Sequence, residues 1–319
     1  MTASATATHG TGSAPLGTGS APLGAAGHGK LHRPLKRSGQ ISTGEKSSPA
    51  GLTVRYILLI LSLALILMPV YVLLVTSFKD ASQVSPARTW YLPEHLVFDN
   101  WTKAFSTLAP ALGRSLMLVI PSSIISAMLG SANGFVLSRW RFPGANAVFT
   151  FLLFGMFIPY QAVMIPMTKM VVAAGIDKGI PLLIFMHVVY GIPITTLIFR
   201  NYYESIPTDL IEAARVDGAG MLRTYFSVVL PISIPSFVVV LIWQFTAAWN
   251  DFLFALFFGG SSQSGPVTLA LNELAHGSIM QDYGQSMAGA LIASVPTLIV
   301  YIALGKYFVG GLMSGSVKG

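Results

Sequence analysis

Tyr56 to Phe78 reads YILLILSLALILMPVYVLLVTSF and holds no charged residue between the flanking Arg55 and Lys79. A helix of about 20 residues crosses a hydrocarbon core roughly 30 Å thick. A charge near mid-bilayer costs on the order of 3 kcal/mol on insertion scales, so charge-free gaps mark the segments a bilayer accepts. Five further gaps run from Arg114 to Arg139, Arg141 to Lys169, Lys178 to Arg200, Arg223 to Asp251 and Asp282 to Lys306. They predict an all-α integral membrane fold with six transmembrane helices, over about 56–78, 115–138, 146–168, 180–199, 228–250 and 284–305. Pro69, Pro121, Pro159, Pro193, Pro231, Pro235 and Pro296 fall inside these spans. Neighbouring helices and hydroxyl side chains can satisfy the carbonyls that proline frees. Ordinary bends are expected there, although kinks can also open a lumen in a channel subunit.

The composition agrees. Of 319 residues, 53% are hydrophobic and 10% charged, against about 25% charged in an average soluble domain. The lack of cysteine excludes disulfides, thiolate metal sites and cysteine nucleophiles. The net charge of +7 is concentrated near the N-terminus, where Lys30, Arg33, Lys36, Arg37, Lys46 and Arg55 precede the first apolar run. Such a flank anchors a chain at a lipid bilayer on the cytoplasmic side. Without interleaved aromatic residues it gives no support to nucleic-acid binding. With the N-terminus inside, the 19 Lys and Arg divide 13 to 6 in favour of the cytoplasmic segments, as the positive-inside rule requires. Both termini are then expected in the cytoplasm.

Residues 1–48 carry TGSAPLG twice in tandem, at Thr11–Gly17 and Thr18–Gly24. Gly, Ser, Ala and Pro at that density bury too little apolar surface to order a backbone, so a disordered tail is expected, followed by a membrane domain over 53–319. The tail also holds Gly24-Ala-Ala-Gly-His-Gly29-Lys30, which fits the first part of a phosphate-binding loop. Leu31 stands where Ser or Thr is needed, and no strand precedes it. The stretch from Asp251 to Glu273 is apolar only through Phe258 and is not expected to span.

Between the fourth and fifth spans, Asn201 to Phe226 reads NYYESIPTDLIEAARVDGAGMLRTYF. Pro207 suits the first turn of a helix because it lacks an N–H and has a fixed φ. Asp209 and Glu212 then lie near the positive end of the helix dipole. Leu210, Ala213 and Ala214 are spaced to share one face. Asp217-Gly218 and Gly220 stop the helix, and a second short helix from Met221 leads toward Pro231. The product is a helix-turn-helix with an alanine surface for close approach and an acidic rim that suits an arginine.

Glu212-Ala213-Ala214, three residues, Gly218, nine residues, Val228, one residue, then Leu230-Pro231 resembles the EAA loop of ATP-binding-cassette importer permeases. Val228 replaces the family's isoleucine. The extended form EAARVDGAG, with Asp217 before Gly218, is more similar to the carbohydrate-uptake branch than to the amino-acid or metal branches. Ile158-Pro159 through Ile165-Pro166, Trp249-Asn250-Asp251-Phe252 and the ending Tyr307-Phe308-Val309-Gly310-Gly311-Leu312 to Gly319 resemble the second permease subunit of maltose-type importers.

The resemblance, over roughly Tyr56 to Gly319, implies a permease subunit that forms the path for a sugar. Its partners would be a homologous permease, two copies of an ATPase and an extracytoplasmic solute-binding protein. It also implies that Glu212 anchors the ATPase, that Ala213 and Ala214 form the packing face, that Gly218 makes the turn, and that Ser314, Lys318 and Gly319 reach the ATPase. No cofactor and no metal is implied, and hydrolysis would belong to the partner rather than to this chain. Glycerol phosphate or another polyol is the alternative solute within the same family.

Tyr160, Gln161, Gln244, Trp249 and Asn250, with Trp243, have the chemistry of a solute path, since rings stack on pyranose faces and amides exchange hydrogen bonds with hydroxyls. Trp249 also suits a membrane-interface anchor. His187, mid-span, has no acidic partner within a helical turn, and an interhelical hydrogen bond is its simplest role; the other histidines lack metal-ligand spacing. An ion-gradient transporter tends to place carboxylates or arginine near the midplane. The six gaps hold none, nor do they hold the convergent groups of an intramembrane enzyme.

Overall fold

The computed structural model describes residues 49–140, 142–277 and 282–313. The expectations for the tail 1–48, including its phosphate-loop fragment, and for Ser314, Lys318 and Gly319 lie outside the described residues. Residues up to Ile57 form one unit and Leu58 onward another; the described part of the first is the opening of helix α1.

Among the described residues, four helices are long and apolar enough to cross a bilayer: α1 (Pro49–Ser77), α2 (Asp99–Arg139), α5 (Ile180–Ser205) and α12 (Tyr283–Met313). Two further spans are bent pairs. The first joins α3 (Ala145–Phe154) and its short 3₁₀ turn to α4 (Tyr160–Ala173), with a 94° bend. The second joins α7 (Met221–Thr224), a π-helical turn (Tyr225–Val229) and α8 (Leu230–Ile232) to α9 (Ile234–Asn250), with a 76° bend. Each pair counted as one span gives six.

The expectation of ordinary bends holds for Pro69, Pro121, Pro193 and Pro296, which sit inside continuous helices. It fails at Pro159 and around Ser233. Pro159 removes a donor and holds an extended ψ of 112° at the start of α4, and proline disfavours helical geometry in the residue before it. Ser233 leaves the helix at φ −90°, ψ 4° between Pro231 and Pro235, where two missing N–H groups interrupt the ladder.

α2 is 41 residues long and begins well before Arg114, because the polar first turns lie beyond the charge gap. It is the central element, packed most closely on α5. Ser126, Gly130 and Gly134 recur at every fourth position along it and lie against Thr195 and Phe199 of α5. A Cβ at Gly130 would lie 2.2 Å from Thr195 Oγ1, and one at Gly134 would lie 2.8 Å from Arg200 N. Small residues let backbones approach where lipid removes the hydrophobic drive for helix association. The Thr195 hydroxyl donates to Ser126 O at 3.1 Å across the interface.

α10 (Leu253–Phe258) and α11 (Val267–His276) are too short to span. They fold inward, and Phe254, Phe258, Val267 and Ala270 join a core with Leu118, Leu183, Met186 and Trp249. A second core at the other end of α2 and α5 contains Phe135, Phe199, Tyr203, Ile206, Ile211, Tyr225 and Val229.

Candidate functional site

The second core is the seat of α6 (Thr208–Val216), the helix that carries Glu212-Ala213-Ala214. Pro207 is its N-cap, one position before the expected first turn. Asp209 lies in the first turn and Arg215 in the last, each complementary to the helix dipole. Gly218 takes φ +76°. Gly218 N donates to Arg215 O at 3.0 Å and Ala219 N to Ala214 O at 2.9 Å, the paired bonds of a Schellman cap that only a residue tolerant of positive φ closes without strain. Gly220 is extended and starts α7.

The helix presents two faces. Ile211 and Ala214 are buried against the body of the chain, whereas Leu210, Glu212, Ala213 and Val216 are exposed, Val216 by 87%. Of the three residues expected to share one face, Leu210 and Ala213 are exposed and Ala214 is turned to the body of the chain. Ala214 is used internally, and the apolar surface left for a partner is Leu210, Ala213 and Val216. Glu212 makes no ion pair or hydrogen bond among the described residues.

Arg139, the last residue of α2, donates through one Nη2 to both Tyr203 O and Ile206 O. Tyr203 O also accepts from Ile206 N, the C-cap of α5, at 3.2 Å, so the guanidinium reinforces the end of α5 where α6 departs. Deeper in, Ser131 Oγ lies 2.6 Å from Tyr203 Oη and 2.8 Å from Tyr225 Oη, and Tyr203 Oη lies 3.4 Å from Ser233 Oγ. This buried node ties α2, α5, the π-helical turn and the α8–α9 break together. Tyr202 Oη donates to Ile232 O at 2.6 Å. Arg200 stands 4.0 Å over the Phe149 ring and pairs with Glu204 at 2.9 Å. Leu230 is half-buried and Pro231 exposed in the short α8.

Residues 120–312 match the model of the binding-protein-dependent transport system inner membrane component. The chain belongs to this family. It is the transmembrane permease subunit of an ATP-binding-cassette importer, a transport component rather than an enzyme, and it works with ATP-binding-cassette partners in a multi-pass inner-membrane assembly. The permease is 40% identical to a probable ABC transporter permease protein of Pyrococcus horikoshii, over 83% of this chain and 96% of that one. It is 34% identical to the xylose/arabinose import permease protein of Haloferax volcanii, over 81% and 91%. Among solved structures it resembles a bacterial ABC transporter involved in the import of the acidic polysaccharide alginate, with a TM-score of 0.67 and 21% identity over 82% of this chain and 98% of that one.

Of the residues expected along a solute path, Tyr160 and Trp249 pack in the first core, and the others are placed singly. Trp249 is buried, its Nε1 donating to Ala293 O of α12 at 3.0 Å and its ring stacked on Phe245. Gln244 is buried between α2 and α5, and its Nε2 donates to His187 O at 3.0 Å, with Ser126 Oγ at 3.4 Å. The His187 ring meets Phe254 edge-on, so the expected interhelical hydrogen bond is made by its carbonyl instead. Tyr160 stacks on Phe254 at 5.3 Å. Gln161 and Trp243 are exposed on separate helices, and Asn250 donates back to Thr246 O of its own helix. Asp251 Oδ2 accepts from Phe254 N at 2.8 Å and so caps α10.

Arg139, Ser131, Tyr203 and Tyr225 carry no motif of their own in the sequence. The signal available was the four-residue recurrence of small residues on α2, which marks the face that must receive α5.

Proposed function

We propose that the permease passes a sugar through the membrane and that α6 is the part its ATPase grips. The observation that carries this reading is the division of α6, buried on Ile211 and Ala214 and open on Glu212, Ala213, Leu210 and Val216. A free carboxylate beside a small apolar patch suits a basic cleft lined by apolar side chains. The lysine and arginine distribution supports a cytoplasmic position for α6 and both termini. A homologous permease completes the path, two ATPase copies sit beneath the pair, and an extracytoplasmic binding protein delivers the solute. ATP binding draws the two α6 segments together. Arg139 and the Ser131–Tyr203–Tyr225 node carry that motion into α2, α5 and α9, and hydrolysis resets them.

A sugar is favoured by the names of the relatives, which include a glucose import system permease of Saccharolobus solfataricus at 31% identity and a melibiose/raffinose/stachyose import permease of Bacillus subtilis at 33%. A polyol is the second reading, favoured by an osmoprotective compounds uptake permease of Synechocystis at 33%. The test is uptake of labelled pentoses, hexoses, oligosaccharides and glycerol phosphate into proteoliposomes holding the whole importer. The reading predicts sugar uptake that needs both ATP and the binding protein. Uptake that persists without ATP under an ion gradient overturns it in favour of a secondary transporter.

A further inference from the structure

We propose that the segment between α1 and α2 is a membrane-surface anchor that lays Trp90, Tyr91, Leu92, Leu96 and Phe98 into the headgroup–acyl boundary of the bilayer. The decisive observation is height. The segment does not leave α1 for the aqueous phase but is tied back onto the end of that helix. Val97 N donates to Phe78 O at 2.9 Å. Asn100 Nδ2 donates to Ser77 O at 3.0 Å and Lys79 O at 2.9 Å. The buried Lys79 ammonium donates to Arg88 O at 2.7 Å. Tyr71 Oη donates to Trp90 O at 3.0 Å. Tyr71 lies within α1, well before its last residue Ser77, a separation of about 9 Å at 1.5 Å per residue. That bond brings the Trp90 backbone alongside the apolar shaft.

From there the side chains turn outward. Trp90, Tyr91, Leu92, Leu96 and Phe98 are all more than half exposed, Leu92 by 71%. The polar groups of the same segment are engaged with each other instead: Gln83 with His95 and with Glu94 N, and Arg88 with Glu94. A cluster of this kind exposed to water is costly and marks an interaction surface. It is continuous with α1, whose residues from Leu58 to Tyr71 are exposed along the shaft. Lipid is the occupant that fits both parts, with acyl chains along α1 and the interfacial zone at its end. Tryptophan and tyrosine collect in that zone because their rings are apolar and their N–H or O–H remains hydrated.

The test is Trp90 fluorescence in the full importer, reconstituted in nanodiscs of phosphatidylcholine brominated either just below the headgroup or near the chain end. The Trp90 signal is the difference between wild type and Trp90→Phe. Stronger quenching by the shallow bromines is expected, together with poor quenching by aqueous iodide. Quenching by iodide alone overturns the proposal, because the segment then faces water. Indifference to both quenchers, or shielding that appears only with the binding protein, also overturns it, in favour of a protein contact. If Trp90→Phe does not fold, Trp90→Tyr supplies the subtraction, and the same outcomes decide.

Discussion

Glu212 and Trp249 stand in the two stretches whose residue types point most directly to a partner or a solute, and the fold treats them in opposite ways. Around Trp249 and Gln244 the polar groups are consumed inside the chain, by the backbone of α12 and of α5. Around Glu212 the apolar residues of one face are consumed and the charge is left over. In a membrane the carbonyls of neighbouring helices are the readiest partners for a buried amide or indole N–H. A carboxylate at the end of a span faces no such demand.

The contrast predicts a graded set of stability losses. Trp249→Ala should cost the most, about 3–5 kcal/mol for a large buried aromatic, read as a drop in the thermal unfolding temperature of the purified importer. A normal unfolding temperature with an altered solute KM would return Trp249 to the solute path. Arg139→Met comes next, since it strips two carbonyls of a charged donor, worth about 1.5–3 kcal/mol. Its sharper signature is a raised ratio of ATP hydrolysed to solute moved, with partial recovery in Arg139→Lys. Gln244→Leu should lose only about 1 kcal/mol and leave solute selectivity unchanged in the proteoliposome assay. Glu212→Arg should leave the unfolding temperature where it is.

How much of this was legible beforehand follows the same division. Charge gaps located the spans because the cost of a buried charge is paid locally, residue by residue. The turn at Gly218 was legible because positive φ is a property of one residue. The breaks at Pro159 and Ser233 were not, since proline also occurs inside intact helices here, and only neighbouring elements decide whether the freed carbonyls are satisfied. The burial of Ala214 was hidden for a related reason, because a nine-residue helix gives its apolar face no label saying body or partner. The burial of Trp249 and Gln244 was not legible because their acceptors lie 44 and 57 residues away in the chain. The clamp of Arg139 on α5 spans 64 residues and was read in the sequence only as a positive charge at the end of a span.

In the reading proposed above, α6 is seated by its buried face and gripped by its open one. The most direct test is co-purification of the ATPase with tagged wild-type permease and with Glu212→Arg, alongside the unfolding temperature of each. The variant is expected to keep its unfolding temperature, lose the ATPase and no longer couple hydrolysis to the solute-loaded binding protein. Full ATPase capture and normal coupling in a folded Glu212→Arg would contradict it and leave Glu212 an ordinary solvated charge.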